Sequence, residues 1–554
     1  MGLTIRTCDG PARPASACRR STTRLGHGVL GLTVAAGLAL SPAPALADVA
    51  DSKGALAAYL RARVASERNE PTRAATDYAA SLAASPDPAV AIRAWREAVT
   101  AGDAALADTS LAILDRAGAS PEDAALFAAA EGARDKDPDR LDAAIARLAK
   151  TRLVLLAPVL RAWALRARKS DPYPALDAPE GDGTARRLAT ETRALLLIAD
   201  GREKEGLAVV RSLGLETGVD LRLAAAQALI AKGERDPARS LFNGEESALG
   251  DALAREKKRR LAPGFGVSRL FSRVASDLLG GESNPLAVSF TRAALIADPS
   301  NERARILLAT ALARAGAVEP ALATLAAVRA DGPLGSAATC TRVAVLKAAD
   351  REAEALDDAR RLAERDGASR YDWQTYADLL SELGRPADAL PWYRRVADGE
   401  GAAEWAAWMQ LGGALETSGD WPGALAALRK AVELAPEEPL ALNYLGYARV
   451  TRGEAPAESR ALLERAYKLA PDNTSIADSL GWAYHLTGDT ARALPLLEVA
   501  ASGEPGNAEI GEHLGDVYWA LGRRYEARYA WSAATLVAPE KDKARLSEKV
   551  ARGL

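Results

Sequence analysis

The sequence predicts an all-α protein built as an array of stacked helix pairs, and three observations carry that expectation. The skeleton "LGWAYHLTGD" at Leu480–Asp489 returns 34 residues later as "LGDVYWALGR" at Leu514–Arg523, sharing Leu-Gly, an aromatic three places on and a second Gly seven places after the first. Apolar residues make up 48% of the chain while aromatics supply only 5%, with Ala abundant, which suits helices packed closely through small side chains. Long β-branched runs with period-two alternation are missing, so sheet content should be near nil. A chain of 554 residues is either several globular domains or one long repeat array, and a skeleton repeated at fixed spacing favours the array.

The first element, residues 1–47, reads as an export signal. Arg6, Arg13, Arg19, Arg20 and Arg24 precede the apolar stretch Val29–Leu40, and Ala45-Leu46-Ala47 offers a small-x-small cleavage site before Asp48. That stretch is shorter than the roughly 20 residues a membrane span takes. No Cys stands at the cleavage point, and Arg19-Arg20 lacks the flanks of a twin-Arg signal, so general secretion to the periplasm is expected. Nothing downstream is apolar enough to span a membrane. Cleavage would remove five Arg and Asp9 from 71 basic and 74 acidic side chains, leaving a net charge of −7 and no basic excess for nucleic acid. It would also remove Cys8 and Cys18, and the remaining Cys340 cannot form an internal disulfide.

Residues 48–280 form a divergent helical array. Ala62, Asn69, Ala74, Tyr78 and Pro86 follow the skeleton, as do Trp95, Gly102 and Ala107. Between about 110 and 280 the helical periodicity has no clean register, and the segments Ser170–Gly183 and "LAPGFG" (Leu261–Gly266) interrupt it. "EKKRR" (Glu256–Arg260) reads as a solvated helix end. A boundary near 280 opens the regular array, 281–540, which a helical tail, 541–554, follows. Leu308, Ala309, Leu312, Gly316, Ala321 and Leu325 make one unit. Val343, Asp350, Ala355 and Leu362 make a degenerate one, and Tyr376, Ala377, Gly384, Ala389 and Tyr393 another.

Four clear units close the array. The first has Leu411, Gly412, Leu415, Gly419, Ala424, Leu428, Ala431 and Pro436. The second has Leu445, Gly446, Gly453, Leu463, Ala466 and Pro471, with one residue inserted after Gly453. The third has Leu480, Gly481, Tyr484, Gly488, Ala493, Leu497, Ala500 and Pro505, and the fourth Leu514, Gly515, Tyr518, Gly522, Ala527, Trp531, Ala534 and Pro539. Each place has a mechanical reason. Small residues let paired helices interlock closely. The second Gly tolerates the positive φ that ends the first helix, and Pro stops the second. Position by position the pattern resembles the tetratricopeptide repeat, a 34-residue helix–turn–helix unit. The resemblance implies a right-handed superhelical solenoid of antiparallel helix pairs.

Catalytic chemistry has little to work with. Beyond the signal only His485, His513 and Cys340 remain as soft ligands or nucleophiles. Nucleophile-elbow and phosphate-loop patterns are absent, and no standard metal-ligand spacing occurs. The expectation is a non-enzyme with no cofactor and no metal. The repeat resemblance implies instead a concave groove lined by the first helix of each unit. Its inward positions hold Asn443 and Tyr447, then Asp478, Trp482 and His485, then Glu512, Asp516 and Trp519. Eight of the ten Trp lie between 373 and 531, and indole is a favoured recognition anchor. Trp531 falls on a core position. For Trp482 and Trp519 two roles stay open, groove recognition and packing beneath the C-terminal cap. Acidic residues occupy the places where carboxylate-gripping repeats carry Lys, Arg and Asn, so a neutral or basic protein segment with apolar anchors suits the groove better.

The stretches "ALNYLGYA", "DSLGWAYHLTGD" and "EHLGDVYWALGRRYEARYAW", with "AAYLRARVASERNEPTRAATDYAASL" near the start, look like a group of proteobacterial envelope repeat proteins. Some members deliver substrates to a carboxy-terminal processing protease in the periplasm. Members are often lipoproteins, whereas this sequence lacks the lipobox Cys. The resemblance implies a periplasmic adaptor that holds a protein partner. The alternative is a structural part of an envelope assembly such as polysaccharide export or outer-membrane biogenesis.

Overall fold

A computed structural model describes residues 46–177, 183–213, 218–243, 246–258, 261–281 and 285–554. Nearly all of the expected export signal, part of the Ser170–Gly183 segment and Arg259–Arg260 lie outside the described residues. Among the described residues there are 29 α-helices and no strand, so the protein is all-α, as expected. The chain divides into two compact units, one ending at Asp358 and one running from Ala359 to the C-terminus.

The second unit is a stack of helix pairs in the expected register. Arg370–Glu382 pairs with Pro386–Ala397, Trp405–Thr417 with Trp421–Leu434, and Pro439–Val450 with Pro456–Leu469. Thr474–Leu486 pairs with Thr490–Gly503, Ala508–Ala520 with Arg524–Val537, and Glu540–Arg552 closes the stack against the last pair. First helices begin at side-chain caps: Asn473 accepts from the Ile476 amide at 3.1 Å, and Asn507 from the Glu509 amide at 3.2 Å. They end at Gly419, Gly453, Gly488 and Gly522, whose φ values of 85, 70, 88 and 77° belong to the left-handed region that favours glycine. The residue inserted after Gly453 is absorbed there, by a second left-handed residue, Ala455, at φ 42°.

The Leu-Gly pairs sit where two helices nearly touch. A Cβ on Gly412, Gly446 or Gly481 would stand 2.8 Å from the Cγ of Leu428, Leu463 or Leu497 of its own pair, and one on Gly515 would overlap the indole of Trp531. Those four partners are buried together with the Ala residues of the skeleton. The repeated Gly is therefore a contact requirement within each pair.

The first unit starts in the same style. Leu46–Glu67 packs on Pro71–Ala84, and Pro88–Ala101 on Ala104–Arg116, with Ala62, Ala74, Tyr78 and Trp95 buried. Asn69 and Gly102 take positive φ at the turns the skeleton assigns to them. The stacking then departs from a simple series. Helix Pro263–Leu279 packs on Ala124–Asp135, Ala157–Ala167, Gly183–Ala199 and Gly218–Lys232 as well as on its successor, Leu286–Ala297. Leu286–Ala297 in turn lies on Pro88–Ala101 and Ala124–Asp135. The chain between these segments is thus an excursion that leaves the stack and returns to it. Arg292 ties the return down by donating to the carbonyls of Val99 and Thr100 at 3.0 and 2.8 Å, and burial pushes its pKa down to about 10. Residue 280 lies between two helices packed on each other inside this unit.

"LAPGFG" spans the end of the expected interruption: Leu261 and Ala262 lie outside any helix, and Pro263–Gly266 already belong to the next one. Pro263 occupies the first turn of a 17-residue helix, where its missing N–H costs nothing. Gly264 and Gly266 serve contact, because a Cβ on either would collide with the Ala297 carbonyl or the ring of the buried Trp163. The same helix carries buried polar partners: Asn301 Nδ2 donates to Ser268 Oγ and Ser272 Oγ, both at 2.9 Å. Glu256 of the "EKKRR" run pairs with Arg329 at 3.0 Å.

Candidate functional site

The first helices Pro439–Val450, Thr474–Leu486 and Ala508–Ala520 lie against one another in order, which brings the groove positions of three units together. Tyr447 reaches across the middle helix, and its hydroxyl donates to Glu509 Oε1 at 2.7 Å. Burial and the Glu509 carboxylate push the Tyr447 pKa up. Asp478 accepts from His513 Nδ1 at 3.0 Å, and both side chains are buried. Trp482 covers that pair: its ring lies 4.0 Å from the His513 ring, with 12° between the planes. On the next turn of its own helix, His485 stacks at 5.1 Å and 30°. Trp482 itself is half-buried, with an indole face stabilised by stacking and further surface open to a ligand.

Burial at His513 opposes its charge, but the Asp478 carboxylate, with Glu509 and Asp516 nearby, outweighs it and raises the pKa above 6.5. At His485 burial dominates and the pKa falls below 6.5. The stability that protonated His513 contributes is therefore complete below pH 6.5 and lost as pH rises through its raised folded value. For His485 the sign reverses: its contribution is present above pH 6.5 and lost as pH falls through its depressed value. An NMR titration should show His485 titrating below 6.5 and His513 above it, assigned by His485→Gln and His513→Gln. His485 and His513 titrating together near 6.5 would contradict the stacked arrangement.

Three more of the expected groove residues, those toward the C-terminal end, are also engaged by the chain itself. Glu512 pairs with Arg545 and, at 2.6 Å, with Lys549. Asp516 accepts from Trp531 Nε1 at 2.8 Å and from Lys549 Nζ at 2.8 and 2.7 Å. Trp519 packs on Trp531, ring centroids 5.5 Å apart, with Arg524 and Arg528 5.0 and 5.3 Å from its ring and the C-terminal Gly553 beside it. For Trp519 the structure thus shows packing beneath the cap. The closing helix Glu540–Arg552 supplies Arg545 and Lys549, one turn apart, and buries Leu546 between them.

Asn443, Asp478 and Asp516 also differ from their assignment as open groove positions outside the core. All three are buried, because neighbouring first helices and the closing helix crowd the inner face. Asn443 Oδ1 has no hydrogen-bond partner among the described residues. What stays accessible is a cleft of about 850 Å³ lined by Trp482, Glu504, Glu509, Glu512, His513 and Arg545, among others. Sequence reasoning missed Glu509 and His513. Glu509 holds the earliest inward position of its helix, so the repeat register could have found it, whereas nothing in the register marks His513. Among the described residues no group of three or more His, Cys, Asp or Glu could hold a metal ion, and no helix is long and apolar enough to cross a membrane.

A family model described as the tetratricopeptide repeat matches residues 375–439, 417–474 and 444–508. The chain therefore carries tetratricopeptide repeats through this part of the second unit. A TPR repeat-containing protein of Pseudomonas aeruginosa is 37% identical over 89 residues, which is 16% of this chain and 15% of that protein's length. Solved structures similar to parts of the chain include YrrB, described as a TPR protein with an unusual peptide-binding site (20% identical, covering 34% of this chain and 97% of YrrB, TM-score 0.26). TTC0263 of Thermus thermophilus is 22% identical, covering 33% of this chain and 98% of that one, with a TM-score of 0.30. The APC/C assembly Cut9–Hcn1 is 16% identical over 92% of this chain and 98% of the solved one, with a TM-score of 0.39.

Proposed function

We propose that the protein is a non-enzymatic scaffold of the bacterial envelope that holds a segment of a partner protein against the first helices of its C-terminal repeats. The observation that carries this reading is Trp482, a half-buried indole held flat by two histidines at the wall of an 850 Å³ cleft. A rigid aromatic held by stacking, with part of its surface still exposed, is the kind of anchor from which interfaces draw much of their energy. Acceptors share its cleft: Glu504 and Glu509 line the same wall. This chemistry suits a segment with an apolar side chain flanked by N–H groups or a basic residue. The periplasm as its compartment rests on the Arg-rich, apolar, small-x-small sequence at the N-terminus. Delivery of the bound protein to a carboxy-terminal processing protease rests on the resemblance of the C-terminal units to envelope adaptors.

A photocrosslinking amino acid placed at Lys541, an exposed residue lining the cleft that leaves Trp482 in place, is expected to capture a periplasmic protein in cells exporting the protein. The same residue at Tyr529, on the second helix of the last pair, is expected not to. Equal capture at both places, or capture of cytoplasmic proteins alone, would defeat the proposal.

A further inference from the structure

Among the described residues, the first helix, Leu46–Glu67, has one face with no other helix upon it. Ala55, Ala58, Ala62 and Ala65 are buried, while Leu56, Leu60 and Val64 stand on the other side, 58, 55 and 51% exposed. In a stacked array each pair buries its apolar faces on its neighbours, so a terminal helix needs a polar outer face. The closing helix Glu540–Arg552 meets that need by burying Leu546 and presenting charge elsewhere. The first helix does not: it repeats an apolar residue every four places on its outer side.

We infer that this face is a contact between two copies of the chain, the two first helices packing antiparallel about Leu60. The charges at the ends of the stripe select that occupant. With Leu60 on the dyad, Leu56 of one copy meets Val64 of the other, and Lys53, seven residues before Leu60, meets Glu67, seven after it. Both are exposed and opposite in sign, and Glu67 is held on this side of the helix by Arg63 at 3.0 Å. A parallel arrangement would set Lys53 against Lys53. The antiparallel one is self-complementary, as a two-fold contact must be. Rows at four-residue spacing on both helices interdigitate as ridges into grooves. Gly54 and the exposed Ala57 beside the row leave room for close approach, with nothing within 4 Å of a Cβ built at Gly54. One helix face per copy is less than a standard interface, so the dimer should be weak, on the order of micromolar in dissociation constant.

Sedimentation velocity on the purified protein, from nanomolar to high micromolar, is expected to show a concentration-dependent monomer–dimer equilibrium. Leu60→Glu should leave a monomer throughout, with unchanged circular dichroism and melting, because Leu60 is not part of the core. Lys53→Glu and Glu67→Lys should each weaken the dimer roughly tenfold, and the two together should restore it. A wild-type protein that stays monomeric would overturn the inference, as cover by residues 1–45 or by another protein would produce. So would a dimer that survives Leu60→Glu, or a double exchange that fails to restore association.

Discussion

Trp531→Ala is expected to cost about 3–5 kcal/mol, the usual range for truncating a fully buried large aromatic. Trp531 has no exposed surface, fills the space that Gly515 leaves open, and donates its indole N–H to Asp516. Its loss leaves a cavity beneath Trp519 and removes one of the donors that hold Asp516 in place. The last pair and the closing helix rest on this cluster, so both should loosen and neighbouring pairs should follow. Denaturant unfolding followed by circular dichroism reads the effect. Tyr529→Ala on the same helix is the control: Tyr529 is 77% exposed, and its replacement should change stability by less than about 0.5 kcal/mol. Similar losses for the two would mean that Trp531 does not occupy the core position assigned to it.

Gly266→Leu should be as damaging to the first unit. A Cβ alone at this position would lie within the ring of the buried Trp163. A whole Leu must displace a helix packed on Ala124–Asp135, Ala157–Ala167 and Leu286–Ala297, among others. Overpacking typically costs about 1–3 kcal/mol, and here the loss should reach or pass the upper limit because rigid groups surround the site. Trp163→Leu in the same chain should recover part of it, as residues in direct contact are not additive. A Gly266→Leu variant that melts with the wild type would show that the helix does not pack on Trp163.

The second unit was legible in the sequence because its constraints are local. Gly481 meets Leu497 within one repeat, and Gly488 ends a helix by its own φ, so both leave marks at fixed spacing. "LAPGFG" was only half legible: a break does end there, but the reasons for its helical glycines lie far along the chain, at Trp163 and Ala297. The groove was half legible. Register placed Tyr447, Asp478, Trp482 and His485 on adjoining helices, and the structure brings them together. Register gave no account of the tail, whose Arg545 and Lys549 lie outside any repeat yet engage Glu512 and Asp516. An acidic groove end was therefore expected where the chain supplies its own cations. His513 stands one place before a core Leu, and only the fold shows that it turns toward Asp478.

The reading of the C-terminal repeats as a protein-binding groove is tested most directly by amide hydrogen exchange of the protein alone and with the partner captured at the Trp482 cleft. Protection is expected on the first helices Pro439–Val450, Thr474–Leu486 and Ala508–Ala520, strongest around Trp482. The second helices Pro456–Leu469, Thr490–Gly503 and Arg524–Val537 should exchange as before. Protection confined to the second helices, or none anywhere in residues 439–537, would contradict it.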